Sequence, residues 1–214
     1  MRRNLFPAAD PSQAATRILW LPGAYNAAED FVRAGFGAAV SRRGLPLDLE
    51  FIDLELRYLG DNGALRQLRS EIVLPLREAG IAVWLAGISL GGSLALDFAA
   101  SHSGELAGLC LLAPYLGNRM LIEEIVQARG LENWQPGELA ETDVERRIWR
   151  YIKNRRTDAV PLYLGFGRED RFSSALQLLA GILPAESVEV MEGGHDWRTW
   201  AMLWERFLDS RFFA

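Results

Sequence analysis

Residues 82–91 read Ala-Val-Trp-Leu-Ala-Gly-Ile-Ser-Leu-Gly. Ala82 to Ile88 is a short apolar run, the pattern of a strand buried on both faces. Past the serine, Leu94, Ala95, Phe98 and Ala99 line one face of a helix that should end near His102 and Gly104. Gly87-Ile-Ser-Leu-Gly91 is thus a G-x-S-x-G element between a strand and a helix, the setting in which its serine is lifted clear of the sheet on a sharp, strained turn. Side chains two residues before and after Ser89 would collide, so Gly87 and Gly91 leave room. The helix start offers unpaired N–H groups and a positive dipole end to a developing oxyanion. The plainer alternative is a glycine-rich turn carrying an ordinary serine.

Working outward, five more segments read as strands. Arg17 to Pro22 is an apolar run closed by Pro22-Gly23. Leu47 to Leu56 alternates apolar and acidic residues, as a strand nearer the sheet edge does. Leu106 to Pro114, Val160 to Phe166 and Ser187 to Met191 complete the set. Helical spacing recurs at Leu65, Leu68, Ile72, Val73 and Leu76, over Leu176 to Leu183, and in the stripe Trp197, Trp200, Leu203, Trp204, Phe207 and Leu208. Strands alternating with helices predict a three-layer α/β/α sandwich of about six mainly parallel strands joined by right-handed crossovers. Catalytic groups then belong at the C-terminal strand ends. The stretch of about forty residues from Asn118 to Asp158 is too long for a bare loop and reads as a small helical insertion over those ends. It is acidic first (Glu123, Glu124, Glu132, Glu138, Glu141, Asp143, Glu145) and basic last (Arg146, Arg147, Arg150, Lys153, Arg155, Arg156). The basic part is either a solvated helix face or a contact for an anionic group.

A serine hydroxyl needs a neighbouring base to act as a nucleophile at neutral pH. The chain has two histidines. His102 is carried some 15–20 Å from Ser89 by its helix, at about 1.5 Å per residue. His195, in Glu192-Gly-Gly-His-Asp-Trp197, follows the last strand and lies on the same sheet edge as Ser89. The acid that orients it should end an intervening strand. Asp170 in Phe166-Gly-Arg-Glu-Asp170 is the choice, with Glu169 the alternative. Asp196, beside the histidine in sequence, reads as a supporting or helix-capping residue. No lysine follows the glycines as a phosphate-binding loop requires, and no G-x-G-x-x-G opens the first crossover.

An elbow serine, then an acid after a later strand, then a histidine: in this order the chain resembles the α/β-hydrolase superfamily from Arg17 to its end. Its Gly-Gly-His-Asp-Trp ending is similar to that of small serine esterases of the esterase D and tributyrin-esterase type. The resemblance implies one domain, 1–214, a minimal α/β-hydrolase lacking the first two strands of the full sheet, with a lid-like insertion at about 118–158. It implies a triad of Ser89, His195 and Asp170. It also implies an oxyanion hole from the backbone N–H of Leu90 and of Ala24, with Tyr25 as runner-up for the second. Relatives often carry His-Gly in that loop, where this chain has Pro22-Gly23. Tyr25, Tyr115, Leu116, Trp134 and Trp149 are candidate pocket walls or, alternatively, packing residues.

Composition narrows the partners. The chain of 214 residues is 50% apolar and 24% charged, with a net charge of −5 and one cysteine. That suits one globular domain and excludes a disordered chain, a coiled coil or an internal disulfide. It carries no overall footprint for nucleic acid. Two histidines and one cysteine leave too few ligands for a His/Cys zinc cluster, and neither metal nor organic cofactor is implied. The longest uncharged run, Ile81 to Leu96, is shorter than the ~20 residues of a membrane span. The N-terminal stretch lacks the apolar segment of a secretory signal. The expectation is a cytoplasmic hydrolase acting on a small-molecule ester. A thioester hydrolase and a non-catalytic binding module on the same fold are the alternatives.

Overall fold

A computed structural model describes residues 1–8, 10, 14–53, 63–140, 142–155 and 160–213. Its strands are β1 (Arg2–Phe6), β2 (Thr16–Leu21), β3 (Leu47–Asp53), β4 (Ala82–Ile88), β5 (Gly108–Leu112), β6 (Leu162–Gly167) and β7 (Val188–Met191). They form one sheet in the order β1-β3-β2-β4-β5-β6-β7, parallel except for β1, which runs antiparallel to β3. The fold class expected from the sequence is thus the one observed, with seven strands in place of about six.

The extra strand is β1. Arg2–Phe6 is short, charged and largely exposed, so no apolar pattern marks it. It is held by pairing and charge. Arg3 from β1 and Arg17 from β2 meet Glu50 on β3, and Arg17 also binds Asp48 at 2.8 Å. Asp48 and Glu50 of β3 are therefore buried, Glu50 to 1% exposure. Buried carboxylates persist when each is matched by a cation and hydrogen bonds. The expected continuation of this strand through Leu54–Leu56 lies outside the described residues, as do Glu141, Arg156 and Asp158 of the 118–158 stretch.

Helices α1 (Ala28–Arg33) and α2 (Phe36–Arg43) cross from β2 to β3. Between β3 and β4, α3 (Gly63–Leu68) and α4 (Leu74–Glu78) are joined by a π-helical turn, Arg69–Val73. Pro75 lies just past this turn. A proline lacks the N–H that would reach back to residue 71, and its ring crowds that carbonyl, which a widened turn relieves. Then follow α5 (Leu90–His102) after β4, α6 (Arg119–Gln127) and α7 (Val144–Lys153) after β5, α8 (Ser173–Ala180) after β6, and α9 (Trp197–Leu208) after β7. On one face, α1, α2 and α9 share an aromatic cluster: Trp20 from β2 sits edge-on to Phe36 and Trp204 at 4.9 and 5.1 Å. Right-handed crossovers put α5 and α7 on the other face, where they pack together. Among the described residues no helix is long and apolar enough to cross a membrane, and no group of three His, Cys, Asp or Glu side chains can hold a metal ion.

Candidate active site

Ser89 joins β4 to α5 with φ +49° and ψ −116°, a left-sided conformation that a non-glycine residue adopts only when its surroundings enforce it. They do so here. Its N–H donates to Leu112 O at 3.1 Å, and its carbonyl accepts from Gly92, Ser93 and Tyr115 N–H groups. The flanking glycines are required by contact. A Cβ on Gly87 would stand 2.2 Å from the Gly91 carbonyl carbon, and one on Gly91 would stand 2.1 Å from Leu21 O. The turn after β2 thereby presses against the elbow, and a Cβ on Gly23 would lie 3.4 Å from Ser89 Cβ.

The loops after β6 and β7 are laced together. Arg168 N–H donates to Met191 O at 2.8 Å and Glu169 N–H to Gly193 O at 3.1 Å. Gly193, at φ +129°, makes the turn that a side chain would obstruct against Thr199. This lacing sets Asp170 Oδ2 2.7 Å from His195 Nδ1, while His195 Nε2 lies 2.9 Å from Ser89 Oγ. The Asp170 side chain is fully buried, and its other oxygen accepts Phe172 N–H at 2.8 Å. An acceptor-only carboxylate on Nδ1 assigns the proton to that nitrogen and leaves the Nε2 lone pair toward the serine. Phe172 and Trp200 bracket the imidazole, each 5.0 Å away and near perpendicular to it. Sequence reading placed Trp200 only in a core stripe and passed over Phe172.

The three residues singled out by sequence thus meet in one hydrogen-bonded line, and the alternatives do not join it. Glu169 accepts the Gly193 N–H. Asp196 caps α9 by accepting Thr199 N–H at 2.9 Å, which holds its carboxyl below the usual range. His102 closes α5 with its ring against Phe98. The Leu90 amide opens α5, where helical geometry gives it no acceptor. Ala24 lies in the Gly23–Asn26 turn, closed by Asn26 N–H to Gly23 O at 3.1 Å.

The proposed pocket walls divide. Tyr25 is 96% exposed at φ +64°. Tyr115 adjoins the site: its N–H binds Ser89 O, its ring stands 5.4 Å from Phe172, and its hydroxyl donates to Glu145 Oε1 at 2.8 Å. Burial first, then Glu145, push that phenol up to about 12. Leu116, Trp134 and Trp149 are corrected to core residues, at 1% exposure or less. Both indoles are already satisfied, Trp134 by Glu124 and Trp149 by Leu116 O. Much of the basic run is likewise spent internally: Arg146 pairs with Glu124 and Asp143, and Arg147 with the buried Asp97.

No protein-family model and no curated protein matches this chain. Solved structures do. Fluorophosphonate-binding serine hydrolase F of Staphylococcus aureus is similar at 13% identity and TM-score 0.63, over 91% of this chain and 82% of that one. A monoacylglycerol lipase of Paleococcus ferrophilus is similar at 14% identity and TM-score 0.62, over 97% and 96%. An S-formylglutathione hydrolase of Agrobacterium tumefaciens is similar at 12% identity and TM-score 0.61, over 93% and 85%. The chain has the α/β-hydrolase fold.

Proposed function

We propose that this α/β-hydrolase-fold chain is a serine hydrolase that cleaves small carboxylic esters through an acyl-enzyme. The observation that carries the proposal is the buried line Asp170–His195–Ser89, with its serine on a turn that only glycine neighbours permit. In this reading Ser89 Oγ attacks the ester carbonyl carbon as His195 Nε2 takes its proton. Asp170 holds the tautomer and stabilises the imidazolium that forms. The amides of Leu90 and Ala24 receive the oxyanion. Collapse breaks the bond to the leaving alkoxide, which His195 protonates. Water, deprotonated by the same nitrogen, then attacks the acyl-enzyme, releases the acid and restores Ser89. α7 packs on α5, and its first turn braces Tyr115 beside the nucleophile through Glu145. Fold alone does not dictate chemistry, so the reading rests on the side chains.

A fluorophosphonate probe tests it. Wild-type protein should be labelled and should turn over p-nitrophenyl esters, while Ser89→Ala should fold, escape labelling and lose turnover by several orders of magnitude. Labelling of Ser89→Ala equal to wild type, or turnover within a few-fold, would overturn the proposal. A thioester carbonyl is open to the same attack. Faster turnover of acyl-CoA thioesters than of the matched esters would reassign the substrate while retaining the triad.

A further inference from the structure

We propose that the chain carries a second ligand site, for a small organic carboxylate with an apolar body, in a cleft at the sheet end remote from Ser89. The cleft has a volume of about 690 Å³, within the range of small-molecule sites. It opens beside Pro161 and Leu162, at the start of β6, and Pro184 and Ser187, just before β7. Asp170 and His195 follow the opposite ends of those strands. At about 3.3 Å per residue the six residues of β6 put the cleft roughly 20 Å from Asp170. A molecule bound there does not touch the catalytic line.

The lining has two characters. Leu131, Leu162, Leu183 and Phe212 give it an apolar floor. Lys153, Arg155 and Arg211 bring three cations to a described lining whose own carboxylate is the exposed Glu132, with Glu186 reaching Arg211 from beside it. Lys153 Nζ is held by two backbone carbonyls, of Glu132 and Trp134. Arg155 donates through Nη2 to Val160 O, and its buried Nε has no hydrogen-bond partner among the described residues. Among the described residues neither Lys153 nor Arg155 is paired with a carboxylate. Arg211 reaches Glu186 at 3.1 Å in an exposed pair and Ser187 Oγ at 3.3 Å.

A partly buried guanidinium with no carboxylate partner among the described residues is costly, and its burial depresses the Arg155 pKa. An anion in the cleft would offset that cost. A guanidinium fork matches a planar carboxylate in two parallel hydrogen bonds, and the apolar floor accepts a hydrocarbon body. Inorganic phosphate has no hydrocarbon body for the apolar floor to cover, so it forgoes that part of the binding.

Titration calorimetry with sodium octanoate tests the site, with 1-octanol and inorganic phosphate as comparison probes. Octanoate should bind the wild type at least tenfold more tightly than either. Arg155→Met combined with Arg211→Gln should weaken octanoate at least tenfold. Arg211→Gln alone, a change at an exposed side chain, should weaken it at least threefold in a protein of unchanged melting temperature. Ser89→Ala should leave it unaltered. Three results would overturn the proposal: no binding of octanoate at millimolar concentration, octanol or phosphate binding as tightly, or weakening by Ser89→Ala and not by the arginine variants.

Discussion

Glu169 and Asp170 are chain neighbours whose carboxylates serve different partners: Asp170 Oδ2 meets His195 Nδ1 at 2.7 Å, while Glu169 Oε2 accepts the Gly193 N–H. One holds the imidazole and the other fastens the loop that carries it. Both lie in the turn past β6, closed by Asp170 N–H to Gly167 O at 3.2 Å, which sends the two side chains to different partners.

On the proposed mechanism the two carboxylates separate cleanly in kinetics. Asp170→Asn keeps the shape but lets the imidazole take the wrong tautomer, and kcat should fall about 10⁴-fold, as at a serine-protease triad. Glu169→Gln retains an acceptor for Gly193, and its cost should stay below about tenfold, the size of one modest hydrogen bond. Ester turnover of the two variants at neutral pH checks this. A larger loss for Glu169→Gln would mean that the acid is misassigned.

The parts legible in the sequence are those written locally. Ser89, Asp170 and His195 each sit just past an apolar run, so strand ends and glycine spacing lead to all three. The parts that were not legible depend on distant partners. β1 carries no apolar signal, because its arginine meets a carboxylate 47 residues away in Glu50. The alternation of β3 marks a strand nearer the sheet edge, but nothing in it shows that Arg3 and Arg17 cover Asp48 and Glu50. Trp134 and Trp149 are as compatible with a pocket as with a core, and only their burial decides. The bracket of Phe172 and Trp200 about His195 joins residues from two loops, and no periodicity marks it.

Gly91→Ala tests the elbow against a control at Gly104. A Cβ on Gly91 meets Leu21 O at 2.1 Å, a backbone atom that cannot move aside cheaply, whereas one on Gly104 meets nothing within 4 Å. Forcing a methyl into such a site costs about 1–3 kcal/mol or more. In a chain of about 200 residues that lowers the melting temperature by roughly 2–4 °C per kcal/mol. Thermal unfolding should show this loss for Gly91→Ala and little change for Gly104→Ala. Equal melting temperatures would mean that the elbow is not tightly packed.

Trp200 packs perpendicular to His195 at 5.0 Å, and its buried Nε1 has no hydrogen-bond partner among the described residues. On the proposed mechanism its contact with the imidazole is through its ring. Aromatic pairs and cation–π contacts of this kind are each worth about 0.5–2 kcal/mol. Trp200→Leu should lower kcat about 2–30-fold at 1.36 kcal/mol per decade, with KM nearly unchanged. Trp200→Phe, which keeps a ring, should recover most of the loss. A fall confined to KM, or no recovery by phenylalanine, would show that Trp200 supports the core and not the base.

Asp196 stands next to His195 in sequence, yet its carboxylate turns to the start of α9, accepting Thr199 N–H at 2.9 Å and Thr199 Oγ1 at 3.2 Å. The Thr199 amide is the main cause that holds its pKa below the ordinary value of 3.8. A carboxyl whose folded pKa is depressed contributes stability above its unfolded pKa and loses it as pH falls through the folded value. Asp196→Ala should therefore cost about 1 kcal/mol at neutral pH, the usual worth of an N-cap. The difference from wild type should hold from about pH 8 to pH 5 and shrink below about pH 4, where the free carboxyl begins to protonate. The group is largely exposed, so added salt should reduce the difference further. Denaturant unfolding across that pH range measures it. In the same variants ester turnover should change only a few-fold, because the carboxylate does not touch the imidazole. If Asp196→Ala instead matched Asp170→Asn in kcat while its stability difference stayed flat down to pH 2, Asp196 would be orienting His195, and its place at the helix start would be incidental.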